Sequence, residues 1–376
     1  MAEVHGTCDE RFAGVRDALA EQLDGEELGA SIAVDLDGET VVDIWGGYRD
    51  LDRTQPWTQD TIVNGWSTTK CVLSLAALLL VERGQLDVDA PVGNYWPEFS
   101  AKGKKDVLVR HLMSHTSGVA GWDPPFSISD MYDWETSTER LARQEPWWEP
   151  GTASGYHANN QGHLVGEVIR RITNKTFKKF VADEIAGPLG ADYQIGARES
   201  DWSRIAPVVP PPPMDIDFAS LDPSSPLVRC FTGPVASAAA ANTAEWRRAD
   251  MGALNGHTNA RGLLDVLRTL TLGGSGPVKL SPSTVDQVFR QQSDGVDLVL
   301  MAPLKFGIGY ALTPTETVPY LPAGRVAFWG GWGGSLAVMD LDRRLTITYM
   351  MNRMAAGIIG SPRSEAYAKA VYAALG

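Results

Sequence analysis

Cysteine is scarce in this sequence: three residues, Cys8, Cys71 and Cys230, in a chain of 376. That density excludes a disulfide-built scaffold, and the spacing matches no metal or redox motif, so a reducing compartment is expected. Long hydrophobic runs are missing too. The longest, Val72–Val81, is interrupted by Ser74 and is far too short to cross a bilayer. The opening stretch, Met1 to Phe12, has no basic start followed by apolar residues, so no signal peptide is expected and the protein is read as cytoplasmic. Positive charge is in deficit: 33 Lys and Arg stand against 46 Asp and Glu, a formal net charge of −13. Such a surface suits neither phosphate backbones nor anionic lipid, so no nucleic acid and no membrane is expected as a partner. Internal repeats, long charge runs and Rossmann or phosphate-loop glycine patterns are also missing.

What remains is ordinary globular usage, 44% hydrophobic and 21% charged, which is enough to build a core. Phe12, Val15, Leu19 and Leu23 mark an amphipathic helix over residues 9–23, with Asp9 as its cap. Residues 30–36 and 40–45 are β-rich runs around Asp37-Gly38 and predict a hairpin. Residues 71–83 predict an apolar helix ending at Gly84. From there to about residue 300, helical patches dominate, for instance around Leu164–Ile172, with Pro210–Pro213 as a surface loop. Strand signals return at Phe306–Leu312, Arg325–Phe328, Leu336–Asp340 and Leu345–Met351, and Pro362–Leu375 is helical. β material at both termini can share one sheet. The expectation is an α+β fold: an antiparallel sheet flanked by terminal helices, plus a mostly helical inserted lobe. Residues 1–70 and 300–376 would form the first lobe and 71–299 the second, with the active site at the seam.

The chemistry-bearing signals begin at Trp66-Ser67-Thr68-Thr69-Lys70. Ser67 and Lys70 share one face of a helix start, which sets an ammonium beside a hydroxyl. A serine is a weak nucleophile until a base takes its proton, and lysine is such a base only when burial lowers its pKa. The helix to which Lys70 belongs is apolar, so it draws the lysine inward. Tyr156, in the small-residue loop from Gly151, is a candidate proton relay or a packing tyrosine. The glycine-rich Trp329-Gly330-Gly331-Trp332-Gly333-Gly334 segment could bring a backbone N–H to an oxyanion or simply form a bulge.

Ser67-x-x-Lys70, then Tyr156, then this segment resembles the motif order of class C β-lactamases and, still more, of family VIII carboxylesterases. Flanking stretches resemble the family as well: Val109–Gly118, Gly155-Tyr156-His157-Ala158, Gly187-Pro188-Leu189-Gly190 and Asn255–Ala260. The similarity runs through nearly the whole chain. It implies a β-lactamase/penicillin-binding-protein-like fold with Ser67 as the acylated nucleophile and Lys70 and Tyr156 as the shared acid and base. It also implies the backbone N–H groups of Ser67 and Trp332 as oxyanion donors. Two departures stand out. The lactamase Tyr-x-Asn motif has Ala158 at its third position here, and Trp329-Gly330-Gly331 stands where lactamases carry Lys-Thr-Gly. An indole cannot pair with a substrate carboxylate. Both changes argue for neutral ester substrates and against efficient lactam hydrolysis, and the tryptophans that flank the motifs argue for hydrophobic or aryl ones. An amidase, a lactamase, an acyltransferase and a non-catalytic scaffold are the competing readings.

The sequence holds 12 tryptophans, and several flank these motifs. Trp66, Trp148, His157, His257, Trp329, Gly330 and Gly331 are therefore expected around the substrate pocket. The serine elbow of other esterases is missing, and Ser335 in its nearest match is read as structural. His111 and His115, one helical turn apart, have no third ligand close by in the sequence, so no metal and no cofactor is expected.

Overall fold

The structure is a computed structural model, and it describes residues 2–213, 217–235 and 237–376. Its centre is a nine-stranded antiparallel sheet. The strands are β1 (Val4–Cys8), β2 (Gly29–Leu36), β3 (Glu39–Gly47), β4 (Ser293–Val296), β5 (Pro303–Phe306), β6 (Ala311–Leu312), β7 (Val326–Gly330), β8 (Leu336–Asp340) and β9 (Leu345–Met351). Their order across the sheet is β1-β3-β2-β9-β8-β7-β6-β5-β4. The N-terminal hairpin meets the C-terminal strands where β2 pairs with β9, from Leu36 opposite Leu345 to Ala30 opposite Met351. At the β2–β3 turn Asp37 and Gly38 both have positive φ, 54° and 92°, the primed turn that asparagine- or aspartate-glycine pairs favour.

Two helix layers cover the sheet. On one face lie α1 (Ala13–Asp24) and α5 (Pro362–Leu375), which pack on each other. The other face is covered by α4 (Ala260–Leu272). Strands β2 and β9 are buried on both faces, so they run apolar rather than alternating. Ser31, Asp35, Thr346 and Thr348 point at α4 and find partners there. Ser31 Oγ accepts the N–H of Ala260 at 3.1 Å, and Thr348 Oγ1 donates to the Ala260 carbonyl at 2.8 Å. The sequence placed α4 in the helical insertion. It instead packs against the sheet, and strand β4 enters the sheet before the expected boundary at 300. The expected single strand Phe306–Leu312 is two strands, β5 and β6. A turn separates them, with Gly309 at φ 91°.

The mostly helical part between them contains α2 (Thr69–Glu82) and α3 (Gln161–Thr173). Of α2, every residue from Thr69 to Leu80 is buried. A helix apolar all round has no solvent face, so Lys70 has nowhere to go but inward. A small three-stranded sheet, with Gly256–Thr258 between Val63–Asn64 and Tyr193–Ile195, braces the segment just ahead of α2. Among the described residues no helix is long and apolar enough to cross a membrane.

Candidate active site

Ser67 lies in a tight 3-10 turn, Trp66–Thr68, that opens α2. Trp66 precedes it with φ 51°, a left-handed conformation that a bulky side chain rarely adopts. Packing holds it there: the indole meets Trp246 and Trp332 edge-on, with ring centroids 5.3 and 5.1 Å away. The Gly65 carbonyl accepts from Thr68 Oγ1 at 2.8 Å and from Ser335 Oγ at 3.0 Å. Ser335, read as structural from the sequence, thus ties the glycine-rich segment to the serine turn. Gly331 lets the two come together. A Cβ there would sit 2.2 Å from Ser335 Oγ and 2.5 Å from the Gly65 oxygen.

Lys70 is 2% exposed. Its Nζ lies 3.1 Å from Ser67 Oγ, 2.8 Å from the Ala158 carbonyl and 3.1 Å from that of Ala253. The two carbonyls take two N–H bonds, so the third tetrahedral position of the nitrogen faces the serine. Burial lowers the lysine pKa to about 7, and among the described residues no carboxylate pairs with it to restore the charge. A neutral amine here presents its lone pair to the serine hydroxyl.

Tyr156 is equally buried. Its ring lies over the Lys70 nitrogen, 4.7 Å from the centroid, and its Oη accepts the Trp329 Nε1–H at 3.0 Å. Burial pushes the phenol well above its usual pKa, while hydrogen bonds from Ser67 and Trp329 pull it back in part. At neutral pH it is therefore a phenol and a proton donor. His115 packs edge-on against its ring at 4.9 Å, and burial holds that imidazole neutral.

The oxyanion candidates are backbone groups. Among the described residues, no protein acceptor pairs with the N–H of Ser67 or of Trp332. Ser67 stands at a helix start, where such groups are free, and Trp332 follows the end of β7.

Above Ser67 and Tyr156 opens a cavity of about 140 Å³. Trp66 and Trp332 line it, with Ala158, Asn159 and Leu254. Phe218, Phe231, Val235 and Ile358 complete the apolar wall. The other expected pocket residues lie elsewhere. Trp329 sits beneath Tyr156 rather than in the lining. Trp148 packs under Gly155, where a Cβ would lie 2.4 Å from the indole, and its Nε1 donates to the Ala153 carbonyl at 3.0 Å. His157 is buried behind the loop, with its ring nitrogens on Ser117 Oγ at 2.6 Å and the Gly155 carbonyl at 2.7 Å. His257 belongs to the small sheet, with Nδ1 on the Asn255 carbonyl at 2.8 Å. Burial lowers these two imidazoles to about 3 and about 4, so both are neutral. Gly330 and Gly331 give close backbone approach, not lining. His111 and His115 do different things: His111 Nδ1 accepts the Leu108 N–H, while His115 packs on Tyr156.

Sequence reasoning missed the wall residues Phe218, Phe231, Val235, Leu254 and Ile358, which carry no motif and of which Ile358 comes from a distant part of the chain. It also missed Asp297, whose carboxylate accepts the Tyr156 backbone N–H at 3.0 Å.

A serine turn, a buried lysine and a tyrosine brought together between a sheet and a helical region define a class, and the chain belongs to the β-lactamase family, whose model matches residues 15–370. It is 31% identical to the esterase/β-lactamase LipL of Mycobacterium tuberculosis over 95% of this chain and 84% of that protein. It is 29% identical to the esterase EstB of Burkholderia gladioli, over 92% of this chain and 91% of EstB. Among solved structures it superposes on a family VIII carboxylesterase with a TM-score of 0.92 and 37% identity, covering 99% of this chain and 100% of that one. A penicillin-binding-protein homologue from Caulobacter crescentus gives a TM-score of 0.91 at 34% identity, covering 99% of this chain and all of that one.

Proposed function

We propose that this protein is a serine carboxylesterase that cleaves small neutral esters, hydrophobic or aryl, through an acyl-enzyme on Ser67. The observation that carries this is the lysine geometry: Lys70 Nζ spends two bonds on the Ala158 and Ala253 carbonyls and faces Ser67 Oγ at 3.1 Å, with its pKa lowered to about 7 by burial. Lys70 takes the Ser67 proton as the oxygen attacks the ester carbonyl. The N–H groups of Ser67 and Trp332 hold the oxyanion. Tyr156, kept protonated by burial, gives its proton to the leaving alcohol and is recharged from Lys70. Water then attacks the acyl-enzyme by the same route in reverse.

The apolar cavity supports a neutral, hydrophobic substrate. Trp329, where lactamases carry the lysine of Lys-Thr-Gly, offers its one side-chain N–H to Tyr156 and none to a carboxylate. No metal or cofactor enters this scheme. The site lies at the seam between the sheet lobe and the helical lobe. The three thiols are free, which supports a cytoplasmic location.

The test is a paired assay of the protein and its Ser67→Ala variant on p-nitrophenyl acetate, p-nitrophenyl butyrate and a chromogenic cephalosporin. Ester turnover that vanishes in the variant, with little cephalosporin turnover, is the expected result. An unimpaired variant overturns the reading, and cephalosporin turnover equal to that of the esters moves it to a lactamase.

A further inference from the structure

We propose that Asp297 is a positioning residue for Tyr156, a role that rests on the ester-cleaving reading above. Asp297 is fully buried. One oxygen, Oδ1, accepts three backbone N–H groups: Tyr156 at 3.0 Å, and Val299 and Leu300 at 2.9 Å each. The last two bonds close a local turn in the loop between β4 and β5. The first reaches across to the tyrosine loop and ties its main chain to that turn. A second strut runs beside it, from the Leu298 N–H to the Ser154 carbonyl at 2.9 Å. The loop itself is closed by Asp297 N–H to Ala302 and Met301 N–H to Asp297, at 3.0 and 2.9 Å.

The same part of the sheet holds the other end of the tyrosine. Trp329 on β7 donates to its hydroxyl, and Phe306 on β5 packs against both Trp329 and His115. Main chain and phenol are thus both held from the half of the sheet that runs from β7 to β4, which fixes the phenol oxygen relative to Ser67. A displacement of about 1 Å in such a group can cost roughly 100-fold in rate.

Two substitutions separate this role from a merely local turn. Asp297→Ser keeps a short acceptor for the Val299 and Leu300 N–H groups, as serine turns do, but does not reach Tyr156. Asp297→Asn keeps an oxygen in place for all three. On p-nitrophenyl butyrate, Asp297→Ser should lose about tenfold or more in kcat with KM within about threefold, and Asp297→Asn should recover to within about threefold of the parent. Amide exchange over residues 154–158, read without any substrate, should quicken in the serine variant alone. A serine variant with parental kcat and exchange overturns the proposal. So does an asparagine variant as impaired as the serine one, or a serine variant that fails to fold, since the residue would then serve its own loop. If the parent hydrolyses no ester while the exchange pattern holds, the esterase reading falls and the anchoring of Tyr156 by Asp297 stands.

Discussion

Two buried lysines do different work in this molecule. Lys104, like Lys70, is withdrawn from solvent, and burial lowers its pKa to about 8 against about 7 for Lys70. Lys104 donates to three carbonyls, those of Ala101 at 2.9 Å, Ala142 at 3.1 Å and Gln144, and lies over the Phe99 ring. Every N–H of an ammonium is used and no position is left for a lone pair. Lys70 has two carbonyls and a hydroxyl. Only the hydroxyl can be a donor to nitrogen, so only Lys70 can lose its proton and gain a bond by it. Burial alone therefore does not make a lysine a base. The third partner decides.

The sharpest way to break this comparison is to replace each lysine by methionine. Lys70→Met should cost about a thousandfold or more in ester kcat/KM. Lys104→Met should leave kcat per folded molecule nearly unchanged. Stability should move the opposite way. Three carbonyls orphaned by Lys104→Met cost about 1–3 kcal/mol each where they stay buried, so its melting temperature should fall. Lys70→Met leaves two carbonyls, those of Ala158 and Ala253, without their donor and removes a desolvated amine in exchange, so its melting temperature at neutral pH should fall less.

The pH dependence sharpens the same contrast. Lys70 must be neutral to accept the serine proton, so kcat/KM should rise as pH rises through about 7. The stability sign follows from linkage. Between the folded value of about 7 and the ordinary 10.5, the unfolded chain holds a proton at Lys70 that the folded chain does not. Stability from this group therefore increases with pH in that window, by on the order of 1.4 kcal/mol per unit. Urea unfolding of the parent and Lys70→Met between pH 7 and 9 should show a shallower slope in the variant. Equal slopes would mean that Lys70 is charged in the folded protein.

A smaller effect is expected at Trp329. Trp329→Phe keeps the ring against Tyr156 and removes the N–H bonded to its hydroxyl. That bond favours the phenolate, so its loss should raise the tyrosine pKa further. We expect up to about a tenfold fall in kcat with KM little changed, since one neutral hydrogen bond is worth up to about 1.5 kcal/mol. A variant that loses KM instead would return Trp329 to the substrate pocket.

Much of this was legible in the sequence. Ser67 and Lys70 are three residues apart on an apolar helix, and helical periodicity alone puts them together and inside. The primed turn at Asp37-Gly38 and the helix end at Gly84 are backbone signals, and both hold, with Gly84 at φ 66°. What the sequence could not disclose depends on long-range packing. Helix α4 has the same amphipathic pattern whether it covers other helices or the sheet. Trp329 looks like a pocket aromatic in the sequence and becomes a hydrogen-bond donor only when β7 passes beneath Tyr156. Asp297 carries no motif, because its partners are backbone amides, which every residue but proline has.

The wall of the cavity is the clearest case, and it supports the smallest prediction. Phe231, in the last turn of the helix Pro226–Thr232, faces the cavity and packs near Phe218 with ring centroids 6.3 Å apart. Neither residue touches the Ser67, Lys70 and Tyr156 group through a hydrogen bond. Phe231→Ala should therefore leave acetate ester turnover close to parental. It removes a ring from a cavity of about 140 Å³ and so makes room for a longer acyl or alcohol chain. Each methylene that gains apolar contact is worth about 1 kcal/mol or more. The ratio of kcat/KM for p-nitrophenyl octanoate to that for the acetate should rise about tenfold. Lys70 should titrate as before, since the ring lies outside its contacts. A pH profile that shifts with Phe231→Ala would show that the apolar wall keeps water from the lysine, joining the two regions that the lysine comparison separates.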